Sequence, residues 1–260
     1  MSNNPRFTGE RPHWGDEFDY DEARHLAAYH FAATRVAGRK VMDAGCGEGF
    51  ATQTLTETAR SVTGVDYSQD AIEFCTSHWT DPKLTFRREN LTGPPPVGDV
   101  YDVVLNFQVV EHIDDAVQFL RGLRSRLAEG GELVLTTPNR LRTFSENPYH
   151  VREYTAAELE ELLQQVFSEV EVLGIRGNAK VEAFDAARER GVKRIMRLDP
   201  FGLRHRLPEA WVKALFARFS VLVRRSAKQQ AGAEGIRPTD FDVVSDDRDR
   251  AQDLLAICRA

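Results

Sequence analysis

The stretch VMDAGCGEGF, residues 41–50, decides the fold. A short apolar run ends in an acid and three glycines at alternate positions: Asp43, Gly45, Gly47 and Gly49. Glycine at alternate positions lets a backbone turn sharply and approach a ligand with no Cβ in the way. The next segment, FATQTLTETA, has helical composition, so its first N–H groups would face whatever the loop holds. A dinucleotide site needs G-x-G-x-x-G, and counting from Gly45 puts Phe50 where the third glycine belongs. Asp43 also argues against phosphate, which it would repel; it suits a ligand carrying an ammonium group. The plainer alternative is a glycine-rich turn without a ligand.

Working outward, the residues before and after this loop alternate between short apolar runs and amphipathic segments. DEARHLAAYHFAATRV (21–36) reads as a helix, KVMDAG as a strand, SVTGVD as a strand, and SQDAIEFCTSHW as a helix capped by Ser68. LTFRREN and YDVVLNF read as strands. DDAVQFLRGLRSRLAEGG (114–131) reads as one helix, with Val117, Leu120, Leu123 and Leu127 on one face and Gly130–Gly131 ending it. ELVLTTPN is a strand, TAAELEELLQQVF a helix opened by the capping box Thr155-x-x-Glu158, EVEVLGI a strand, and Leu254–Cys258 a last strand. Such alternation implies an α/β fold with a mainly parallel sheet, helices on both faces, and ligands at the carboxyl ends of the strands. Asp66, at the tip of the second strand, is placed for ribose hydroxyls. Tyr67 could pack on a base, the Asn90 amide could read an exocyclic amine, and Leu91 could flank a ring. Together they describe a nucleoside with a positively charged, amino-acid-like tail.

Residues 40–140 resemble a class I S-adenosylmethionine-dependent methyltransferase. VMDAGCGEGF is similar to that family's glycine-rich motif, VTGVDYS to its ribose motif, YDVVLNFQVVEHI to its strand-4 motif, and LAEGGELVLTTPN to the helix and strand that follow. The resemblance implies a Rossmann-like seven-stranded sheet in the order 3-2-1-4-5-7-6 with strand 7 antiparallel. It implies S-adenosyl-L-methionine as cofactor, with the loop Gly45, Cys46, Gly47 and Gly49 at the methionine part, Asp66 at the ribose and Asn90 by the adenine amine. Asp43, Tyr67, Leu91 and Phe107 complete the expected cofactor site. The family often has Asp where Asn90 stands. The expected organisation is an N-terminal arm and helix (1–36), a methyltransferase core (37–178), a helical insertion (179–236) and a last strand completing the core (237–260).

The sulfonium is already activated, so the protein mainly aligns an acceptor and, for a hydroxyl, takes its proton. The candidates follow strands 4 and 5: Gln108, Glu111 and His112 in NFQVVEHIDD, and His150 in NPYHVREYT. A histidine with its ordinary pKa suits a general base. Related O-methyltransferases of quinol precursors and of RNA ribose carry E-x-x-E-H here and add a histidine after strand 5 to bind a divalent metal. This chain matches at Glu111, His112 and His150, but Gln108 replaces the first acid, which weakens a site for a hard cation such as Mg²⁺. The third reading is that these groups only hydrogen-bond the backbone at the strand-to-helix turn.

The bulk composition narrows the class further. The chain has 260 residues, 42% hydrophobic and 28% charged, with a net charge of −6. That is ordinary for a globular protein and gives no global reason to expect nucleic acid. Three distant cysteines without C-x-x-C argue against a disulfide framework or zinc site and fit a reducing cytoplasm. No apolar h-region or long apolar run marks a signal peptide or membrane span. Between Lys180 and Lys228, however, thirteen Lys/Arg face five Asp/Glu. There Trp211, Leu215, Phe219 and Leu222 form a stripe beside Lys213, Arg218, Arg224 and Arg225. This segment reads as a lid packed on the domain, or as a peripheral contact of 201–228 with an anionic membrane surface. Its charge without interleaved aromatics makes RNA the weaker partner. RPHWGDEFDYDEARHLAAYHFAA and NPYHVREYT resemble methyltransferases encoded with bacterial glycan-assembly enzymes. The expectation is therefore O-methylation of a small molecule, sugar or lipid-linked glycan. A metal-assisted O-methyltransferase and a non-catalytic cofactor-binding regulator are the alternatives.

Overall fold

A computed structural model describes residues 19–94, 96, 98–144, 147–196 and 235–259. The elements are α1 (Asp19–Ala33), β1 (Lys40–Ala44), α2 (Phe50–Thr54), β2 (Ser61–Asp66), α3 (Gln69–His78), β3 (Leu84–Arg88), β4 (Tyr101–Phe107), α4 (Ala116–Arg124), β5 (Leu127–Pro138), α5 (Ala156–Gln164), β6 (Glu169–Gly177), α6 (Ala179–Met196), β7 (Phe241–Val244) and β8 (Asp253–Arg259). They form one eight-stranded sheet in the order β3-β2-β1-β4-β5-β8-β6-β7. β1 to β5 pair in parallel, while β8 runs antiparallel to both β5 and β6. This is the expected order with the last strand inserted between the fifth and sixth. β7, which the sequence reading passed over, adds an antiparallel edge beside β6.

Alternate residues of the central strands serve opposite faces. Val41, Val103 and Leu105 pack with α1 residues Ala28 and Ala32 and with Val181, Phe184 and Ala187 of α6. Met42, Val104 and Leu133 pack with Leu120 and Leu123 of α4 and Leu159 and Leu163 of α5. The capping box at Thr155 and Glu158 is present, and Ser68 caps α3 through its side chain.

The helix expected over 114–131 stops at Arg124. The chain turns at Ser125–Arg126 because Tyr101 N donates to the Arg126 carbonyl at 2.8 Å and pairs in register with Leu127. Gly130, at φ 70°, is then not a helix cap. It lies where the pairing of β5 with β4 shifts register between Tyr101 and Val103. The expected helix over 50–59 is a five-residue α2 followed by the 3₁₀ turn Leu55–Glu57. The arm and the basic stripe of 201–228 lie outside the described residues. No helix among the described residues is long and apolar enough to cross a membrane.

Candidate active site

The carboxyl ends of β1, β2 and β4 open onto a cavity of about 610 Å³, closed on one side by α1. Gly45, Gly47 and Gly49 have φ of 95°, 54° and 72°, the left-handed region that a side chain disfavours. At Gly47 an added Cβ would meet nothing within 4 Å, so the loop leaves open space there. At Gly45 it would strike Val109 Cγ2 at 2.4 Å, and at Gly49 the Phe86 ring at 2.8 Å. Asp66 fixes the loop from β2: its Oδ2 accepts from Gly47 N (3.1 Å) and its Oδ1 from Ser68 N (2.8 Å). Cys46, Asp66, Tyr67, Asn90, Leu91 and Phe107 line the same cavity, and Tyr67 is exposed.

Two of the expected contacts need correction. Asp43 is buried behind the loop and is not among the cavity-lining residues. Tyr29 Oη (2.8 Å) and Thr52 Oγ1 (2.6 Å) both donate to its Oδ2, closing over it, while Oδ1 has no hydrogen-bond partner among the described residues. Burial pushes its carboxyl up to about 6, against the pull of those two donors. The Asn90 Oδ1 accepts from Thr92 N (3.1 Å) and Thr92 Oγ1 (2.8 Å). Its acceptor is therefore engaged; what it offers a base is the amide NH₂ donor, which does not suit an exocyclic amine.

Beyond β4 the chain makes a 3₁₀ turn, Val110–His112. Glu111, His112 and His150 present ligand atoms that all lie within 4.8 Å of one another. Glu111 is fully buried. Thr137 Oγ1 donates to its Oε2 (3.1 Å), and the Glu111 carbonyl accepts from Val151 N and Arg152 N, which staples the His150 loop to the turn. Burial pushes the Glu111 carboxyl up to about 8, with Asp253 and Glu153 adding in the same direction. His112 Nδ1–H donates to the Tyr149 carbonyl (2.9 Å). His150 Nδ1–H donates to Glu153 Oε1 (2.6 Å), while Asn147 Nδ2 donates to His150 Nε2 (2.8 Å). Asn147 Oδ1 accepts from Tyr149 N, which fixes which way the amide points. The two imidazoles stand edge to face, 5.0 Å apart. Gln108, at φ 56°, turns its side chain toward Thr136 Oγ1 (3.4 Å) and offsets part of the rise that burial gives the Asp253 carboxyl.

Several residues of this site were passed over in the sequence. Asp253 opens the last strand and Glu153 lies three residues beyond His150; both are acids beside expected ligand-edge positions, a signal that could have found them. Arg24, His25 and Tyr29 reach the cavity from α1, where no motif marks them.

A parallel sheet with an inserted antiparallel last strand, a glycine loop after β1 and an acid ending β2 define a class I methyltransferase site. The fit to S-adenosylmethionine rests on the open space at Gly47 and on the Asp43 carboxyl behind the loop, whose Oδ1 has no hydrogen-bond partner among the described residues. A methyltransferase-domain family model matches residues 36–194. A Mycolicibacterium smegmatis protein named "Probable S-adenosylmethionine-dependent methyltransferase" is 40% identical over 187 residues, 69% of this chain and 72% of that protein. A protein of Schizosaccharomyces pombe named as a mitochondrial ubiquinone biosynthesis O-methyltransferase is 35% identical over 108 residues, 40% of this chain and 39% of that one. A solved S-adenosylmethionine-dependent methyltransferase from Mesorhizobium loti shares the fold, with a TM-score of 0.55 at 16% identity over 93% of this chain and all of that one. The chain belongs to the S-adenosylmethionine-dependent methyltransferase family.

Proposed function

We propose that this enzyme transfers the methyl group of S-adenosylmethionine to an acceptor hydroxyl presented to Glu111, His112 and His150. The observation that supports this reading is the convergence of those three side chains on the cavity that also contains the glycine loop. In it, Gly45, Cys46, Gly47 and Gly49 cradle the methionine part of the cofactor, with Asp43 as counter-charge. Asp66 takes the ribose hydroxyls, Tyr67 and Leu91 cover the base, Asn90 donates its NH₂ to a ring nitrogen, and Phe107 lines the sulfonium side. With Nδ1–H committed to Tyr149, His112 keeps Nε2 as its basic atom, suited to the hydroxyl proton as the C–O bond forms. His150 Nε2 already accepts from Asn147, so it positions rather than deprotonates. The acceptor class that fits is a small molecule, sugar or lipid-linked glycan. For a lipid-linked acceptor, the basic segment 201–228 would bring the enzyme to an anionic surface. A methyl-transfer screen over sugar, catechol, RNA, amine and thiol acceptors tests the reading; transfer confined to the amine or thiol acceptors would overturn it.

One observation favours a second version. Both histidines anchor Nδ1–H on an oxygen, which makes Nε2 the metal-facing atom, although His150 Nε2 would first have to release its bond from Asn147. Glu111, His112 and His150 would hold a divalent cation such as Mg²⁺, which supplies Lewis-acid lowering of the hydroxyl's pKa. The similarity to a ubiquinone biosynthesis O-methyltransferase agrees with it. Abolition of transfer by a chelator, restored by Mg²⁺, selects this version; full activity in the chelator removes it.

A further inference from the structure

An antiparallel last strand reverses which of its ends reaches the ligand. β1, β2 and β4 deliver their carboxyl ends to the cavity; β8 delivers its first residue, Asp253. Asp253 pairs in register with Pro138, one residue beyond the Thr137 that holds Glu111. It is 2% exposed and yet lines the cavity. Arg24 Nη1 lies 3.1 Å from its Oδ1. That ion pair lacks hydrogen-bond alignment: Oδ1 accepts no hydrogen bond from the described residues. Oδ1 is thus taken up by the Arg24 charge and closed off by burial, and what Asp253 can offer a donor in the cavity is its other oxygen, Oδ2. The methyl transfer proposed above makes no use of it. His25 reaches the same cavity from α1, packed on the Tyr29 and Phe107 rings. Burial and the Arg24 charge lower its pKa to about 4, leaving it neutral and able both to donate and to accept.

We infer that Asp253 is an acceptor-positioning residue: its carboxylate accepts a hydrogen bond from a second hydroxyl of the acceptor, near the one held at Glu111, His112 and His150. The preferred acceptors are then diols or sugar-like polyols rather than isolated alcohols. This rests on the hydroxyl methylation proposed above. A site built to hydrogen-bond a hydroxyl discriminates strongly against the analogue that lacks it, because its own buried group is left without a partner. A charged hydrogen bond of this kind corresponds to roughly 10- to 100-fold in kcat/KM.

The test uses matched pairs that differ by one hydroxyl: catechol with phenol, and cis-1,2-cyclohexanediol with cyclohexanol. S-Adenosylhomocysteine release gives kcat and KM for the full chain and for Asp253→Asn. The wild type is expected to favour at least one diol over its partner by tenfold or more. Asp253→Asn is expected to bring that ratio toward one, mainly by raising KM for the diol. A merely structural role would lower both members of a pair in proportion. That result, a wild-type ratio near one in both pairs, or turnover of none of the four compounds would overturn the inference. The wild-type ratio is read without any variant, so a misfolded Asp253→Asn cannot shield it. Calorimetry with S-adenosylhomocysteine separates the two readings. Binding without a diol preference removes this inference alone, whereas absence of binding removes the methyl-transfer reading as well.

Discussion

Glu111→Gln gives the sharpest test of the site's electrostatics. Glu111 is 1% exposed and its carboxyl is pushed to about 8, chiefly by burial; the ordinary value, 4.5, returns on unfolding. Between those two values the folded chain holds a proton that the unfolded chain has released. Stability therefore falls by about 1.4 kcal/mol for each pH unit as pH rises through this window. No penalty exists below the unfolded value, and the full penalty, on the order of 5 kcal/mol, is reached above the folded one. Glutamine has nearly the same shape, can still accept from Thr137 Oγ1, and does not titrate. Urea unfolding of both proteins at roughly pH 5, 6, 7 and 8 should show Glu111→Gln gaining on the wild type by about 1.4 kcal/mol per unit. Asp43 and Asp253, both raised to about 6 mainly by burial, titrate in both proteins and largely cancel in the difference. Curves that stay parallel across the range would refute the assignment of a protonated, desolvated Glu111.

Two further outcomes concern the cofactor side. Asp66→Ala removes the acceptor of Gly47 N and Ser68 N along with the proposed ribose contact. Calorimetry should show S-adenosylhomocysteine binding weakened by roughly 10- to 100-fold; unchanged affinity would place the ribose elsewhere. Gly49→Ala drives a Cβ into the Phe86 ring and to 2.9 Å from Cys75 Sγ. Thermal or urea unfolding should show a loss of about 2–4 kcal/mol from overpacking and left-handed strain together. Gly47→Ala, with open space around the same Cβ, should lose only about 1 kcal/mol of stability yet bind cofactor poorly, since the methyl would occupy the ligand's place.

The core was legible because its signals are local. The loop Asp43–Gly49 cannot follow anything but a strand and precede anything but a helix without wasting its glycines, and the acid at Asp66 closes the pattern 17 residues beyond Gly49. The order of the strands came from resemblance, and the sheet agrees. What escaped depends on distant pairing. Residues 126–131 have helical periodicity, but Tyr101, far earlier in the chain, claims the Arg126 carbonyl and turns the segment into strand. β7 is four residues long and polar at Asp242, so only β6 defines it. The site followed the same rule. Glu111, His112 and His150 were readable because motif and loop carry them. Asp253, Arg24 and His25 were not, because an antiparallel strand start and a helix face announce no ligand edge until the sheet is assembled. Asn90 and Asp43 were found at the right places with the wrong contacts, since the neighbours that claim their oxygens, Thr92, Tyr29 and Thr52, are set by the folded geometry.

Gln108 joins the two halves of the site. A non-glycine residue at φ 56° costs about 1–2 kcal/mol, and here it is held there by Gln108 N donating to the Thr136 carbonyl at 3.0 Å and by its side-chain bond to Thr136 Oγ1. The turn that follows lays Val109 where a Cβ on residue 45 would have to be, so the glycine at 45 and the left-handed residue at 108 are one device. The amide at 108 is also electrostatically apt. Glu111 and Asp253 are already buried acids, and the Asp253 charge adds to the burial that raises the Glu111 proton affinity. A third carboxylate would deepen that repulsion unless a cation were present. Gln108→Glu should therefore unfold earlier in urea at about pH 8, by roughly 1–3 kcal/mol, and regain stability when Mg²⁺ or Mn²⁺ is added. A variant as stable as the wild type in chelator would show that residue 108 does not share the field of Glu111 and Asp253.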